Sequence, residues 1–277
     1  MFSQSIKIAE VSFSLDFYEQ PNMKFYHNCI GLALVVVAMI SCDSSSNKSE
    51  NLSEEQVTDS IASVEEVVEK ISFGQLQAEM NPDAMLDIYN PIGNENFKEG
   101  KVSFSFNIRN HGLGRENPLM LSLNGASPKP YSMPNFLMDL NKGTYRAVAF
   151  LLNEEGLSLK EYGNFSARDF TVGESRPFPE DDAPYVILHL PAEQQAYAPE
   201  EAVIVDFLYL GGGPESDGVK VKIEIDGQEY YTQEIAPVQL SKLSKGPHSL
   251  KISLVGAAND QEIGGVFASE TRNIIIE

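Results

Sequence analysis

The sequence predicts an all-β chain with two tandem, immunoglobulin-like antiparallel β-sandwich domains. The first observation is a period of two, because apolar and polar residues alternate over residues 102–108 and again over 203–209, as in strands that bury one face. The second is repetition, because the pentapeptide 121–125 recurs in similar form at 223–227. These pentapeptides end in Asn-Gly and Asp-Gly, which after an alternating strand are typical of type I′ hairpins. Each half is therefore expected to be a sandwich of short strands.

Further patterns give the order of the elements. Lys142-Gly143 and Lys245-Gly246 form a second matched pair of turns, so the chain is predicted to be an internal duplication. We assign residues 72–176 to the first sandwich, 177–184 to a proline-rich linker and 185–277 to the second sandwich. Other strands are expected at residues 85–89, 145–152, 169–172, 185–190, 219–225, 247–255 and 271–276. Neither half contains Cys or Trp, which excludes the disulfide core of true immunoglobulin domains.

Residues 1–41 are predicted to be a lipoprotein signal region. Met23 and Lys24 precede an apolar run over residues 29–40, which has the length of a secretory signal core and is too short to cross a bilayer. Residues 39–42, Met-Ile-Ser-Cys, resemble the bacterial lipobox, and this resemblance implies cleavage before Cys42 and attachment of lipid to it. The alternative is a buried strand or a core helix.

Translation is expected to start at Met23 and not at the first methionine. The preceding residues include Glu10, Asp16 and Glu19, whereas the start of a secretory signal is basic. A true start at Met23 would leave Lys24 as the only charged residue ahead of the apolar run.

A tether and a short helix are expected between the signal and the first sandwich. Residues 42–52 form a lipidated flexible tether, because 43–51 contain no residue that could pack in a core. Residues 53–71 are predicted to be a short amphipathic helix, which begins with Ser53 three residues before Gln56, a capping-box pattern. Its apolar stripe follows helical spacing at Val57, Ile61, Val64 and Val68. The helix either docks on the first sandwich or pairs with a partner helix.

Short motifs carry a family resemblance over most of the chain beyond Cys42. They include residues 141–145 and 168–173 in the first half, and Val205-Asp206-Phe207 and residues 226–229 in the second. These motifs resemble a group of two-domain Bacteroidota-type lipoproteins, whose members are often labelled phosphopeptide-binding. The chain departs from the group at Pro118-Leu119-Met120, where similar proteins tend to have a His-x-His strand, so the resemblance implies no histidine site here.

Composition and motifs exclude several kinds of chemistry. A net charge of −20 repels nucleic acid and anionic lipid, so no nucleic-acid partner is expected. Nucleophile signatures are absent, and residues 211–214, Gly-Gly-Gly-Pro, lack the Lys-Ser/Thr of a phosphate-binding loop. The histidines beyond the signal, His111, His189 and His248, are not at ligand spacing from one another, so no zinc or copper site is predicted.

The acidic run Glu180-Asp181-Asp182 lies in the predicted linker. It is either a solvated segment or a calcium site between the two domains, because calcium takes several oxygen ligands. Asp206 or Asp226 would then be candidates for additional ligands. No other cofactor is expected.

Three tyrosines follow the two matched turns and are candidates for ligand recognition. Tyr131 lies beyond the Asn-Gly turn, and Tyr230 and Tyr231 lie beyond the Asp-Gly turn. They either pack as ordinary strand residues or form an exposed surface for a glycan or a peptide.

These features predict a non-catalytic binding or structural protein that is held in the cell envelope of a Gram-negative bacterium by lipid on Cys42. The outer membrane is favoured, and both its periplasmic and its surface face stay open. Expected partners are the membrane, through the lipid, and a protein, peptide or glycan. The alternative is an accessory subunit of an envelope enzyme complex or a cryptic hydrolase.

Overall fold

The computed structural model describes residues 70–179 and 183–277, in which every regular element is a strand and none is a helix. The strands that precede or form the first sandwich are β1 (Ser72–Gln75), β2 (Met85–Asn90), β3 (Glu95–Phe97), β4 (Gly100–Arg109), β5 (Leu119–Leu123), β6 (Lys129–Tyr131), β7 (Asn135–Leu140), β8 (Gly143–Phe150) and β9 (Phe165–Val172). The strands that follow are β10 (Tyr185–Leu190), β11 (Gln195–Tyr197), β12 (Val203–Leu210), β13 (Val219–Ile225), β14 (Gln228–Thr232), β15 (Val238–Ser241), β16 (Gly246–Gly256) and β17 (Ser269–Ile276).

The two sandwiches repeat the same topology strand for strand. The first pairs a β2-β4-β7 sheet with a β3-β9-β8-β5-β6 sheet, and the second has the equivalent orders β10-β12-β15 and β11-β17-β16-β13-β14. Pairing is antiparallel except where β3 meets β9 and β11 meets β17, which are parallel. The register shifts at the same place in both, between Ile88 and Asn90 and between Leu188 and Leu190. The predicted fold class, tandem immunoglobulin-like sandwiches, is therefore confirmed.

The matched hairpin turns have the predicted backbone conformation. Asn124 and Gly125 have φ values of 53° and 69°, and Asp226 and Gly227 have 50° and 77°. Both positions of each turn are thus in the left-handed region that a type I′ turn requires. The Asp-Gly turn directly joins the paired residues Ile225 and Gln228 of β13 and β14, whereas the pair of β5 and β6 nearest to the Asn-Gly turn is Leu121 with Lys129.

Each sandwich has its own apolar core. Alternate residues of β4, among them Val102 and Phe104, point into the first core, and those of β12, among them Val205 and Phe207, point into the second. These side chains are fully buried, as the period-two pattern predicted.

The first strand does not belong to the first sandwich, which corrects the predicted domain boundary. Residues 72–176 were expected to form that domain, but β1 pairs antiparallel with β15 of the second sandwich. Ile71 lies in the core of the second sandwich, and Phe73 packs against it. Because β1 is only four residues long, its alternating pattern is too short to show from sequence which sheet it joins.

Several predicted features lie outside the described residues. These are the signal region 1–41, Cys42 with the tether 42–52, most of the helix 53–71, and Glu180, Asp181 and Asp182. Of the predicted helix, Lys70 and Ile71 are described and neither is helical. None of the described residues forms a helix long and apolar enough to span a membrane.

The two equivalent turn glycines offer a matched test of the fold. Replacing Gly125 or Gly227 with Ala should lower the free energy of unfolding by about 1 kcal/mol through left-handed backbone strain. Gly125→Ala should cost more, because the added Cβ would lie 3.0 Å from Glu270 Oε1 and 3.2 Å from a Phe267 ring carbon, whereas nothing lies within 4 Å of the Cβ at Gly227. Denaturant titration of both variants would measure the difference, and equal losses would contradict it.

Candidate functional site

The two sandwiches, which fall in one compact unit, meet in a buried apolar cluster. Val148 and Phe150 of β8 contribute from the first sandwich, and Ile187 of β10 and Leu208 of β12 contribute from the second. All four are at most 1% exposed. The centre of this cluster is therefore packed like a domain interior.

The sequence contains a second pattern that indicates this junction. It cannot be found by looking for alternating apolar and polar residues. Residues 147–152 and 203–210 are nearly continuous apolar runs, which are typical of strands buried on both faces. In β8, for example, Ala147 belongs to the core of the first sandwich, whereas Val148 belongs to the junction cluster. Asp206 interrupts the second run, and a carboxylate in such a place indicates a buried partner.

Asp206 of β12 forms a buried ion pair across the junction. Its side chain is fully buried, and its Oδ1 lies 2.6 Å from Nζ of Lys160 in the first sandwich. The backbone N–H of Ser158 donates to the other carboxylate oxygen at 2.7 Å. Lys160 Nζ also donates to the Phe207 carbonyl at 2.6 Å and to Ser158 Oγ at 2.8 Å. The charges of Asp206 and Lys160 are paired and hydrogen-bonded across the junction. The ion pair therefore favours one relative placement of the two domains.

A second polar group, on β17, also reaches the first sandwich. Arg272 Nη2 donates to Glu270 Oε2 at 3.0 Å and to the Gly125 carbonyl at 3.2 Å. The Leu188 N–H donates to the same Glu270 oxygen at 3.1 Å, while Glu270 Oε1 is buried with no hydrogen-bond partner among the described residues. Burial raises the pKa of Glu270 to about 7, against the smaller lowering effects of Arg272 and the Leu188 N–H.

Aromatic contacts complete the junction around Arg146. Its guanidinium makes two hydrogen bonds of 2.7 Å to Asp169 within the first sandwich. The same group lies over the rings of Tyr185 at 4.5 Å, Phe178 at 5.5 Å and Phe267 at 5.7 Å. Phe178 comes from the proline-rich linker, so part of that linker packs against both domains.

His189 lies at the junction between the two sandwiches. Its Nε2 lies 3.1 Å from the Gly156 carbonyl, and its ring meets Phe150 edge-on at 5.2 Å between centroids. Burial lowers its pKa.

In the second sandwich His248 is held between the Asp226 carboxylate and the Ser244 carbonyl. Within residues 70–179 and 183–277, no group of three or more His, Cys, Asp or Glu side chains could hold a metal ion. The calcium hypothesis for Glu180, Asp181 and Asp182 stays a prediction.

A polar cleft of about 390 Å³ opens in the first sandwich between its loops. Three of its asparagine side chains already hold backbone groups: Asn81, Asn110 and Asn153. His111 lines the cleft, and its Nε2 is buried with no hydrogen-bond partner in the described part of the chain. Burial lowers the pKa of His111, while a hydrogen bond with Asn117 acts in the opposite direction.

The candidate tyrosines occupy separate places. Tyr131 stacks on Phe136 with 3.9 Å between ring centroids, and Tyr230 stacks on Phe73 at 5.3 Å. Both tyrosines are half-buried, and each ring stacks on a neighbouring aromatic ring. Tyr231 donates its hydroxyl to Glu229 at 2.7 Å, and Lys220 Nζ lies 4.7 Å from its ring centroid. A recognition role for these tyrosines stays a prediction.

No protein-family model matches the chain, and no curated protein matches it significantly. Among solved structures, it is similar to the fibronectin(III)-like modules of Clostridium thermocellum CbhA, at 15% identity and a TM-score of 0.28, over 70% of this chain and 94% of that one. It is also similar to Bacteroides ovatus SGBP-B in complex with a mixed-linkage heptasaccharide, at 11% identity and a TM-score of 0.20, over 74% and 47% of the two chains. A third match is the bacteriophage RB49 outer capsid protein Hoc, at 9% identity and a TM-score of 0.23, over 70% of each chain.

Removing the Asp206 carboxylate should destabilise the junction strongly. Asp206→Ala leaves the buried Lys160 ammonium without its counter-charge and the Ser158 N–H without its acceptor, and we expect a loss of about 3–5 kcal/mol in the free energy of unfolding. The exposed pair Lys251–Glu262 is the control, because Lys251→Ala should cost about 1 kcal/mol or less. Denaturant titration would compare them, and similar losses would contradict a structural role for Asp206. The double variant Asp206→Leu/Lys160→Met should recover much of the stability.

Glu270 should make stability depend on pH. Its pKa rises from 4.5 to about 7 on folding, so the folded state binds the proton more tightly. Its stabilising contribution is complete below pH 4.5 and is lost as pH rises through about 7, up to about 3 kcal/mol. Glu270→Gln should reduce this loss of stability with rising pH. Glu262→Gln, which removes an exposed carboxylate, should leave the loss unchanged. Unfolding curves at several pH values would measure how the free energy of unfolding depends on pH. An unchanged pH dependence in Glu270→Gln would refute the assignment of this effect to Glu270.

Proposed function

We propose that this chain is a non-catalytic, lipid-anchored protein of the cell envelope that presents two immunoglobulin-like domains as one fixed recognition unit. Its partner would be a protein, a peptide or a glycan. The membrane partner would be engaged through lipid on Cys42, in the envelope of a Gram-negative bacterium and preferentially at the outer membrane.

The filled domain junction is the observation that carries this proposal. Domain interfaces are where ligand pockets and active sites often lie, yet here the interface is occupied by Phe150, Ile187 and Leu208. Asp206 and Lys160 are used to bond the two domains to each other. Such a junction suits a protein whose two domains must keep a constant relative position.

Sequence features support the envelope location. The lipobox-like residues 39–42 and the polar residues 43–51 are what a lipid-anchored protein with a flexible stalk requires. The resemblance to two-domain Bacteroidota-type lipoproteins supports the same location. The label phosphopeptide-binding, which members of that group often carry, stays a prediction for this chain.

The anchor can be tested with two cysteine variants. Cys42→Ser should move the protein from the membrane fraction to the soluble fraction, because the acyl chains can no longer be attached. Cys29→Ser is the matched control, since Cys29 lies within the predicted signal and is expected to be removed with it. Fractionation of expressing cells followed by immunoblotting would show the distribution. Membrane retention of Cys42→Ser equal to that of the control would overturn the proposed anchoring.

A further inference from the structure

One strand breaks the equivalence between the two sandwiches. In the second, the outer edge of β15 is covered by β1, so the sheet has the order β1-β15-β12-β10. In the first, the equivalent strand β7 ends its sheet, and no strand among the described residues covers its outer edge. An uncovered edge exposes a row of backbone N–H and C=O groups that can pair with another segment.

Burial of the equivalent side chains shows what the missing strand would cover. Val205 pairs with Val238 and Phe104 pairs with Phe136 at matching places in the two sheets. Val238 and its neighbour Leu240 are 0% exposed, whereas their equivalents in β7, Phe136 and Met138, are only half-buried. Leu137, between them, is 63% exposed. The first sandwich therefore has an incompletely covered apolar edge.

The backbone of β7 is oriented to bond outward. Phe106 N donates to the Pro134 carbonyl at 2.9 Å, so residues 134, 136 and 138 are those that bond to β4, and Leu137 directs its N–H and C=O away from the sheet. In the second sandwich the Leu76 N–H donates to the Pro237 carbonyl at 2.8 Å. That bond is the first of the hydrogen bonds that join the outer edge of β15 to β1. The equivalent backbone groups of β7 point in the same direction and have no strand beside them among the described residues.

The covering strand of the second sandwich defines the chemistry of a suitable occupant. Its side chains Ile71, Phe73 and Gln75 alternate along one face, and each contacts β14 or the core. Phe73 stacks on Tyr230, Gln75 Nε2 donates to Thr232 Oγ1 at 2.8 Å, and Ile71 is buried in the core. A segment that fits such an edge is extended, antiparallel and apolar at alternate positions.

We propose that the outer edge of β7 binds an extended segment of a partner protein by strand addition. The segment lies antiparallel to β7 with an apolar or aromatic residue opposite Met138, as Phe73 lies opposite Leu240. The segment is neutral or positively charged, because the chain has a net charge of −20 and Asp139 of β7 is exposed. A second copy of the chain is disfavoured by the same charge. The inference rests on the proposed recognition role, but its test requires no membrane.

The test uses a labelled peptide with the sequence of residues 70–76, Lys-Ile-Ser-Phe-Gly-Gln-Leu, and the purified chain. Fluorescence anisotropy should show saturable one-to-one binding. Hydrogen exchange read at single residues should then show that the Leu137 amide exchanges fast in the free protein and is protected by the peptide. The Gln239 amide, which faces β1, should be protected before and after addition.

Edge variants assign the binding to β7. Leu137→Pro removes only an outward N–H and should weaken the peptide by about tenfold or more, as expected for the loss of backbone pairing. Leu137→Lys keeps the backbone, places a charge at the edge and should also weaken binding, so the result does not depend on how the proline variant folds. Ile92→Lys is the control, because Ile92 is 70% exposed and lies outside β7.

Three results would overturn the proposal. The first is no binding of the peptide, or binding that Leu137→Lys does not weaken. The second is replacement of β1 by the peptide at the edge of β15. It would alter the hydrogen-exchange protection of the Gln239 amide and leave the Leu137 amide without added protection. The third is protection of Leu137 that depends on protein concentration without peptide, which would make a second copy the occupant. None of these results bears on the Cys42 anchoring test, so failure of the two proposals can be told apart.

Discussion

The buried Asp206 carboxylate is the constraint on which the joined domains depend. A carboxylate that is fully buried must be paired, and its partners, Lys160 and the Ser158 N–H, come from the other sandwich. Each sandwich has a complete core of its own, so apolar burial alone would allow the two sheets to slide over each other. The ion pair selects one placement among these, because any shift would leave both charges without compensation.

Duplication explains the plan of the molecule, and the departures from it explain its specialised parts. Asp206 occupies the strand position that Ser105 holds in the first sandwich, opposite Leu190 and Asn90 respectively. The same sheet face is thus an interface in one copy and a solvent-facing surface in the other, where Ser105 bonds Asn135. The face that contains Asp206 joins the two domains, whereas the equivalent face of the first sandwich is polar at Ser105.

Local patterns were sufficient to predict the strands and their turns. Alternation placed strands such as β4 and β13, and the Asn-Gly and Asp-Gly pairs predicted left-handed residues that Asn124 and Asp226 indeed adopt. Long-range pairing was not predictable in this way. The junction joins Ser158 to Asp206, and β1 joins Ser72 to Ser241, contacts that no periodicity within one segment encodes. Tyr131 and Tyr230 were chosen by their place after a turn, and that placement could not predict the rings on which they stack, Phe136 and Phe73.

The position of β1 also determines where a tether would enter the folded part of the chain. Lys70 and Ile71 precede β1, which lies on the edge of the second sandwich and not of the first. A chain arriving from Cys42 therefore connects first to the domain that is later in the sequence. Force applied to that connection would act along β1 and its antiparallel bonds to β15, and it would reach the first sandwich through residues 76–84 and through the junction. If the chain is held by lipid on Cys42, as proposed, force follows this path, and the buried pair of Lys160 and Asp206 lies on it.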